Sequence, residues 1–210
     1  MSPSVNGITA SNAKRALLRE VAQVRAGYPF RSAIEESTRG TLAVQLKDIR
    51  QGDVLDWSET IKTELSRSAT AEERLRPGDI LFVFRGTHNF AVLVDTVPGP
   101  AVASTQFMML RVGKPETLLP GFLAWQINQP PAQEYFRTAA EGTAQRSLRR
   151  AVIEALEVVV PPLEFQHSVV ELASLVRRER ALAARLVQIR EQQLNHLAAS
   201  LATIAAIEPG

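Results

Sequence analysis

Leu163–Ile207, LEFQHSVVELASLVRRERALAARLVQIREQQLNHLAASLATIAAI, contains neither glycine nor proline and is rich in Ala, Leu, Arg, Gln and Glu, all strong helix formers. The stretch predicts one continuous helix, roughly 65 Å long at about 1.5 Å per residue. Along it Leu175, Leu182 and Ile189 recur at heptad spacing, with Val169, Leu172, Val176 and Leu186 beside them. After a slip in register Leu194, Leu197, Leu201 and Ile204 continue the stripe, and Glu179 and Gln193 interrupt it. This is the seam of a coiled coil, so Leu175, Leu182, Leu186, Ile189, Leu197 and Leu201 are the expected dimerisation residues. Packing along its own domain is the alternative, but a helix this long would overhang it. Arg177, Arg178, Arg180, Arg185 and Arg190 lie mostly off the stripe, as a solvated face would.

Immediately upstream, Val158-Val159-Val160 reads as a strand, and Pro161-Pro162 closes the globular part. The expected division is a domain over residues 1–162 followed by the helix over 163–207. Within the domain the clearest signal is Arg76-Pro77-Gly78-Asp79, which is turn chemistry, run directly into the apolar strand Ile80-Leu81-Phe82-Val83-Phe84. Arg85-Gly86-Thr87-His88-Asn89 is the next turn and Phe90-Ala91-Val92-Leu93-Val94 the returning strand, which makes a hairpin. A third strand is expected over 104–112, and an alternating strand over 41–49. Residues 12–25 read as a short lead-in helix or strand, and 52–74 as a long surface excursion carrying at most a short helix. A helix over 121–127 should end at Pro130 and Pro131, with a further one over 135–140. The expected fold class is therefore α+β: a mixed α/β domain followed by a long C-terminal helix forming a coiled coil.

Composition narrows the chemistry. The chain has 210 residues, a formal net charge of +2 and 45% hydrophobic residues, with a mean hydropathy of −0.04 and an isoelectric point near 9.3. Positive charge is carried mainly by arginine, since lysine is confined to Lys14, Lys47, Lys62 and Lys114. Arginine forks suit phosphate and guanine, although a codon bias would give the same composition. The absence of cysteine removes disulfides, thiolate metal sites and cysteine nucleophiles. The three histidines, His88, His167 and His196, are too scattered in sequence for a metal site or triad. Asp53, Asp56 and Glu59 share a loop with no histidine, and Gly86, Gly99 and Gly113 are isolated rather than clustered for phosphate or methyl-donor binding. No cofactor or metal is expected, and catalysis is not. With no signal peptide or membrane span in view, a reducing cytoplasm is the expected compartment.

Several segments, in order, are similar to a half-length specificity subunit of type I restriction-modification systems. They are Glu20-Val21-Ala22-Gln23-Val24-Arg25-Ala26-Gly27-Tyr28-Pro29-Phe30-Arg31, then Leu46-Lys47-Asp48-Ile49, then Leu75-Arg76-Pro77-Gly78-Asp79-Ile80-Leu81-Phe82 with Arg85-Gly86 after it. Gly142-Thr143-Ala144-Gln145-Arg146-Ser147-Leu148 and Val160-Pro161-Pro162-Leu163-Glu164-Phe165-Gln166 complete the series. The resemblance implies a target-recognition domain, double-stranded DNA as ligand, a DNA adenine methyltransferase subunit as partner and, in some complexes, a restriction nuclease subunit. Such subunits usually hold two recognition domains and two long helices that pack antiparallel; one of each here implies a homodimer whose two long helices form an antiparallel coiled coil. The Thr87-His88-Asn89 loop departs from relatives that carry a second glycine and a lysine. Expected DNA contacts, from loop position and side-chain chemistry, are Arg31, Lys47, Arg85, Thr87, His88, Asn89, Gln145 and Arg146, with Asn89 suited to adenine and Arg85 to guanine. Arg149 and Arg150 extend the second basic cluster. The alternative kept open is a coiled-coil adaptor, or a DNA-binding protein of another phage-defence complex lacking a methyltransferase.

Overall fold

The computed structural model describes residues 4–5, 8–9, 12–50, 52, 55–86, 88–140 and 147–207, with side chains described between residues 12 and 199. Two compact units are distinguished, residues 1–170 and 171–210. In the first, a small pair β1 (Ser4–Val5) and β2 (Ile8–Thr9) precedes β3 (Lys14–Leu17), a single helical turn α1 (Leu18–Val21) and β4 (Ala22–Ala26). Then come β5 (Thr41–Val44), a 3-10 turn over Leu46–Asp48, β6 (Lys62–Thr63), β7 (Ile80–Val83), β8 (Phe90–Leu93), β9 (Ala101–Ala103) and β10 (Phe107–Val112). The helices α2 (Pro120–Ile127), α3 (Pro130–Ala140) and α4 (Arg150–Glu154) follow, then β11 (Glu157–Val160) and the long helix α5 (Leu163–Ile207).

The scaffold is an antiparallel sheet in the order β4-β10-β7-β8. Its register places Val83 opposite both Phe107 and Phe90, and Ile80 opposite both Leu110 and Leu93. Side chains alternate across a strand, so β7, β8 and β10 each contribute to two cores, while β4 contributes to one. Ala22, Val24, Ile80, Phe82, Ala91 and Leu110 face the helices, where they meet Phe122, Leu123, Phe136 and Phe165. Leu81, Val83, Val92, Phe107 and Met109 face the other way, against Val44, Ile49, Ala101 and Ala103. That second layer is the three-stranded sheet β6-β5-β9, in which β5 and β9 run parallel. Burial on both faces explains why Ile80-Leu81-Phe82-Val83 is apolar throughout instead of alternating. Each fully buried Phe or Leu contributes about 1.5–3 kcal/mol.

Edge strands are blocked by side-chain amides. Asn128 accepts from the Ala91 N–H (2.9 Å) and donates to the Ala91 carbonyl (2.8 Å), and Gln126 does the same at Val159 (2.8 and 3.0 Å). Each amide takes the place of a neighbouring strand and leaves those backbone groups unavailable for pairing with another chain.

The hairpin appears where the sequence placed it, and α5 spans the expected residues. Elsewhere the structure differs from expectation. Residues 12–25 hold a strand, a helical turn and a strand, because β3 is recruited to β11 and β4 to β10. The strand expected over 41–49 stops at Val44; the Asp48 carboxylate accepts the Gln45 N–H (2.8 Å) and curls the chain into a 3-10 turn. Pro130 and Pro131 open α3 rather than close α2, since a proline in the first helical turn lacks only an N–H that would have no partner there. The third hairpin strand begins at Phe107, after a turn, and β9 precedes it.

Among the described residues of the 52–74 excursion there is no helix. The excursion is tied to buried Tyr28, whose hydroxyl donates to the Arg67 carbonyl (2.9 Å) and accepts the Arg67 N–H (3.2 Å). Arg67 also lies over the Tyr28 ring, 4.9 Å from its centroid, and its guanidinium holds Glu73. That guanidinium, and then the Thr70 amide, hold the Glu73 carboxyl at about 2, against a usual 4.5.

α5 enters the first unit through Gln166, which is wholly buried. Its Oε1 accepts the Leu119 N–H (2.8 Å), and its Nε2 donates to the carbonyls of Thr117 (2.9 Å) and Pro161 (2.8 Å). In the second unit the apolar stripe is uncovered: Leu182 is 71% exposed, and Leu175, Leu186, Ile189 and Leu197 are also exposed. The side chain of Leu201 lies outside the described residues. Among the described residues no helix is long and apolar enough to cross a membrane.

Two measurements check this packing. Gln166→Ala removes three hydrogen bonds and strands their partners, among them the buried Pro161 carbonyl, so urea unfolding should show a loss of about 2–4 kcal/mol; a loss under about 0.5 kcal/mol would contradict the anchor. For Glu73 the folded-state pKa lies below the unfolded one, so its stabilisation is present above about 4.5 and lost as pH falls through about 2. A carboxyl-carbon NMR titration should place its midpoint near the lower value.

Candidate nucleic-acid interface

The register of the main sheet gives it two distinct ends. At one lie Ala22, Ile80, Leu93 and Val112; at the other Ala26, Val83, Phe90 and Phe107. The second end collects four connections. β4 runs out through Gly27 and Tyr28 toward Arg31, and β7 and β8 are joined there by 84–89. The turn over 104–106 enters β10, and Ser147 pairs with Arg85 while the Leu148 N–H donates to the Phe84 carbonyl (2.9 Å). The 3-10 turn carrying Lys47 joins them, because the Ser104 N–H donates to the Val44 carbonyl (2.9 Å) and Gln106 Oε1 accepts the Leu46 N–H (3.2 Å).

Close approach of backbones makes this end compact. A Cβ on Gly27 would stand 2.1 Å from the Ser104 carbonyl oxygen, so only glycine lets β4 pass the 103–104 segment there. Gly86 serves differently: its φ of +102° turns the hairpin tip, with open space around it.

Of the eight residues expected to touch DNA, five are described and all five stand at this end. Arg31, Lys47, Arg85 and His88 are exposed and Asn89 is half-buried. Thr87, Gln145 and Arg146 lie outside the described residues. The structure also shows what each side chain already does. The Arg85 guanidinium lies over the Phe84 ring, 5.0 Å from its centroid, and the residue is exposed. Lys47, expected at a strand end, sits in the 3-10 turn instead. Its ammonium donates to the Glu59 carbonyl (3.1 Å) and neutralises buried Asp48 (3.2 Å), so its charge is partly spent inside the protein. Asn89 donates through Nδ2 to the Val83 carbonyl (3.1 Å), which caps the hairpin. A two-point adenine contact by Asn89 needs Oδ1 and one Nδ2 hydrogen; the Val83 carbonyl takes one of the two Nδ2 hydrogens and leaves the other. Sequence reasoning passed over the turn 104–106, whose Gln106 is exposed beside Arg85 and Asn89 in the strand order. The expected strand over 104–112 placed Gln106 inside a strand, so the sequence carried no signal for it; the strand begins at Phe107.

The opposite end is fastened rather than open. The Asp79 carboxylate, 1% exposed, accepts from Arg111 Nε (2.7 Å) and Nη2 (2.8 Å) and from the Arg76 N–H (2.8 Å). The Asp79 hydrogen bonds push the Arg111 pKa up, above its already high value. An open groove of about 580 Å³ runs beside β4, lined by Arg19, Arg25, Arg150, Glu20 and Glu154 among others. Both of its carboxylates are engaged, Glu20 by the Leu17 N–H (2.8 Å) and Glu154 by Arg150 (2.7 Å). A mixed, open, arginine-rich groove with occupied carboxylates offers no general acid–base pair.

No family model matches the sequence, and no curated protein matches it. Solved structures do match the fold. One, from work on complex assembly and conformational transition of the type I restriction-modification system, superposes with a TM-score of 0.64 at 17% identity over 93% of this chain and 46% of that one. The type I restriction-modification S subunit from M. genitalium gives 0.61 at 15% identity, covering 92% and 46%. The HsdS subunit from Thermoanaerobacter tengcongensis gives 0.58 at 17% identity, covering 86% and 41%. The chain thus spans less than half the length of each neighbour, and over that length it has the fold of type I restriction-modification specificity subunits.

Proposed function

We propose that the chain reads DNA sequence for a type I-like modification complex and performs no chemistry itself. The observation that carries the reading is the gathering of Arg31, Arg85, His88, Asn89 and Gln106 at one end of a rigid sheet in a fold shared with specificity subunits. Recognition residues on loops held by a stiff scaffold combine exposure with fixed position. Arginine and lysine neutralise phosphates, while amides and arginine forks reach base edges. The methyl donor and its transfer then belong to a separate adenine methyltransferase subunit, with a restriction nuclease subunit as a further component where cleavage occurs.

The exposed stripe on α5 supports the second half of the proposal. Leu175, Leu182, Leu186, Ile189 and Leu197 are too extensive an apolar surface to remain in water, and the heptad spacing suits a second copy of the same helix, running antiparallel as the resemblance to specificity subunits implies. A two-fold axis then relates two recognition domains, and the stiff helix pair holds them apart. Two-fold readers place half-sites about 34–36 Å apart, or at multiples of that turn.

The expected target is an interrupted palindrome with a fixed unread gap, and binding should fall steeply with salt as counterions are released. Mapping methylated adenines in source cells, with and without the gene, reads this directly. A motif that lacks a gap, or is asymmetric and depends on this chain alone, would contradict the symmetric pair. In solution, light scattering should report a dimer that Leu182→Glu with Ile189→Glu converts to a folded monomer. A monomeric wild-type chain at micromolar concentration would assign the stripe to a different helix.

A further inference from the structure

Two side-chain amides at the loop end of the sheet are each committed in a way that fixes which half remains. Asn89 gives one of its two Nδ2 hydrogens to the Val83 carbonyl, which only accepts, so the amide orientation is fixed and Oδ1 has no partner among the described residues. Gln106 is the reverse. Its Oε1 accepts the Leu46 N–H (3.2 Å) and the Ser104 hydroxyl (3.3 Å); a backbone N–H only donates, so the amide orientation is again fixed. The Gln106 Nε2 has no partner among the described residues, and the residue is exposed. The hydrogen bonds therefore leave the oxygen of one amide and the nitrogen of the other without a partner among the described residues, neither interchangeable by an amide flip.

Their spacing follows from the register. Asn89 and Gln106 stand one residue before Phe90 and Phe107, and both of those pair with Val83. Two strand spacings separate them, about 10 Å, which matches about three base steps at roughly 3.4 Å each. We propose that Gln106 and Asn89 are specificity-determining residues of opposite polarity that read two base positions about three steps apart in one groove. Gln106 offers a donor to a base-edge acceptor, namely guanine O6 or N7, adenine N7 or thymine O4. Asn89 offers an acceptor to an exocyclic amine, on cytosine N4 or adenine N6. Each is held before DNA arrives, so little side-chain freedom is lost on contact. The inference rests on the DNA-reading role proposed above and assigns to it a residue and a polarity that the sequence did not.

The test selects duplexes from a randomised pool with the full-length chain and sequences what is retained. Wild type is compared with Gln106→Ala and with Gln106→Glu, which keeps an oxygen for the Leu46 N–H and replaces the outward donor with an acceptor. Gln106→Ala should flatten one position in each half-site by roughly 3- to 10-fold, the worth of one hydrogen bond. Gln106→Glu should turn the preference at that same position toward cytosine or adenine, which offer an amine, and leave the other positions as they were. Unchanged base preferences in both variants, or a uniform loss of binding across all sequences, would overturn the assignment while leaving DNA reading intact. A wild-type chain that retains no sequence over any other overturns the DNA-reading proposal itself, and this inference with it.

Discussion

A carboxylate held almost entirely out of water fixes the geometry on which the rest of the domain depends. Asp79 sits where the Arg76-Pro77-Gly78 turn meets β7, and its two oxygens take a two-point contact from Arg111 on β10 and the N–H of Arg76. Its own carbonyl accepts the Val94 N–H, and the Gly78 N–H donates to the Val94 carbonyl, both at 2.8 Å. One residue thereby joins the turn, both hairpin strands and the central strand. A buried charge is costly unless paired and fully hydrogen-bonded, which is the condition met here, and removing Arg111 would leave the Asp79 charge buried with only the Arg76 N–H. The pair therefore sets register more than it adds net stability.

Once that end is pinned, the other end is free to carry loops. Gln166 adds a second fastening near the pinned end, through Thr117 and Leu119, which follow β10. The outcome is a sheet with a structural end and a presenting end. Polar side chains at the presenting end are not loosely solvated; Lys47, Asn89 and Gln106 each make hydrogen bonds within the protein, which fixes the two amide orientations, and Arg85 lies over the Phe84 ring.

Much of this was legible in the sequence because it is local. The Arg-Pro-Gly-Asp turn, the apolar run after it and the glycine-free, proline-free stretch from Leu163 each follow from short-range chemistry. What escaped was long-range. β9 is only Ala101-Val102-Ala103, too short and small to stand out, and it exists because β5 lies alongside it in parallel. Residues 12–25 have helical spacing of apolar positions, but pairing with β10 and β11 outweighs it. For the candidate site, the loop residues were identifiable by type, whereas Gln106 was not, since its distinction is a bond to Leu46, sixty positions away in the chain. Likewise the second partner of Asp79 lies on another strand; its role as a cap on a backbone amide was readable, and the ion pair with Arg111 was not.

The central claim is that one end of the β4-β10-β7-β8 sheet meets DNA and the other does not. Backbone amide NMR of the full chain, titrated with duplex DNA, tests it most directly. The account predicts shifts concentrated at Gly27 to Arg31, at Arg85 to Phe90 and at Thr105 to Gln106, with Asp79, Gly113 and Leu119 unmoved. Shifts centred on Asp79 and Gly113, with the presenting end silent, would contradict it.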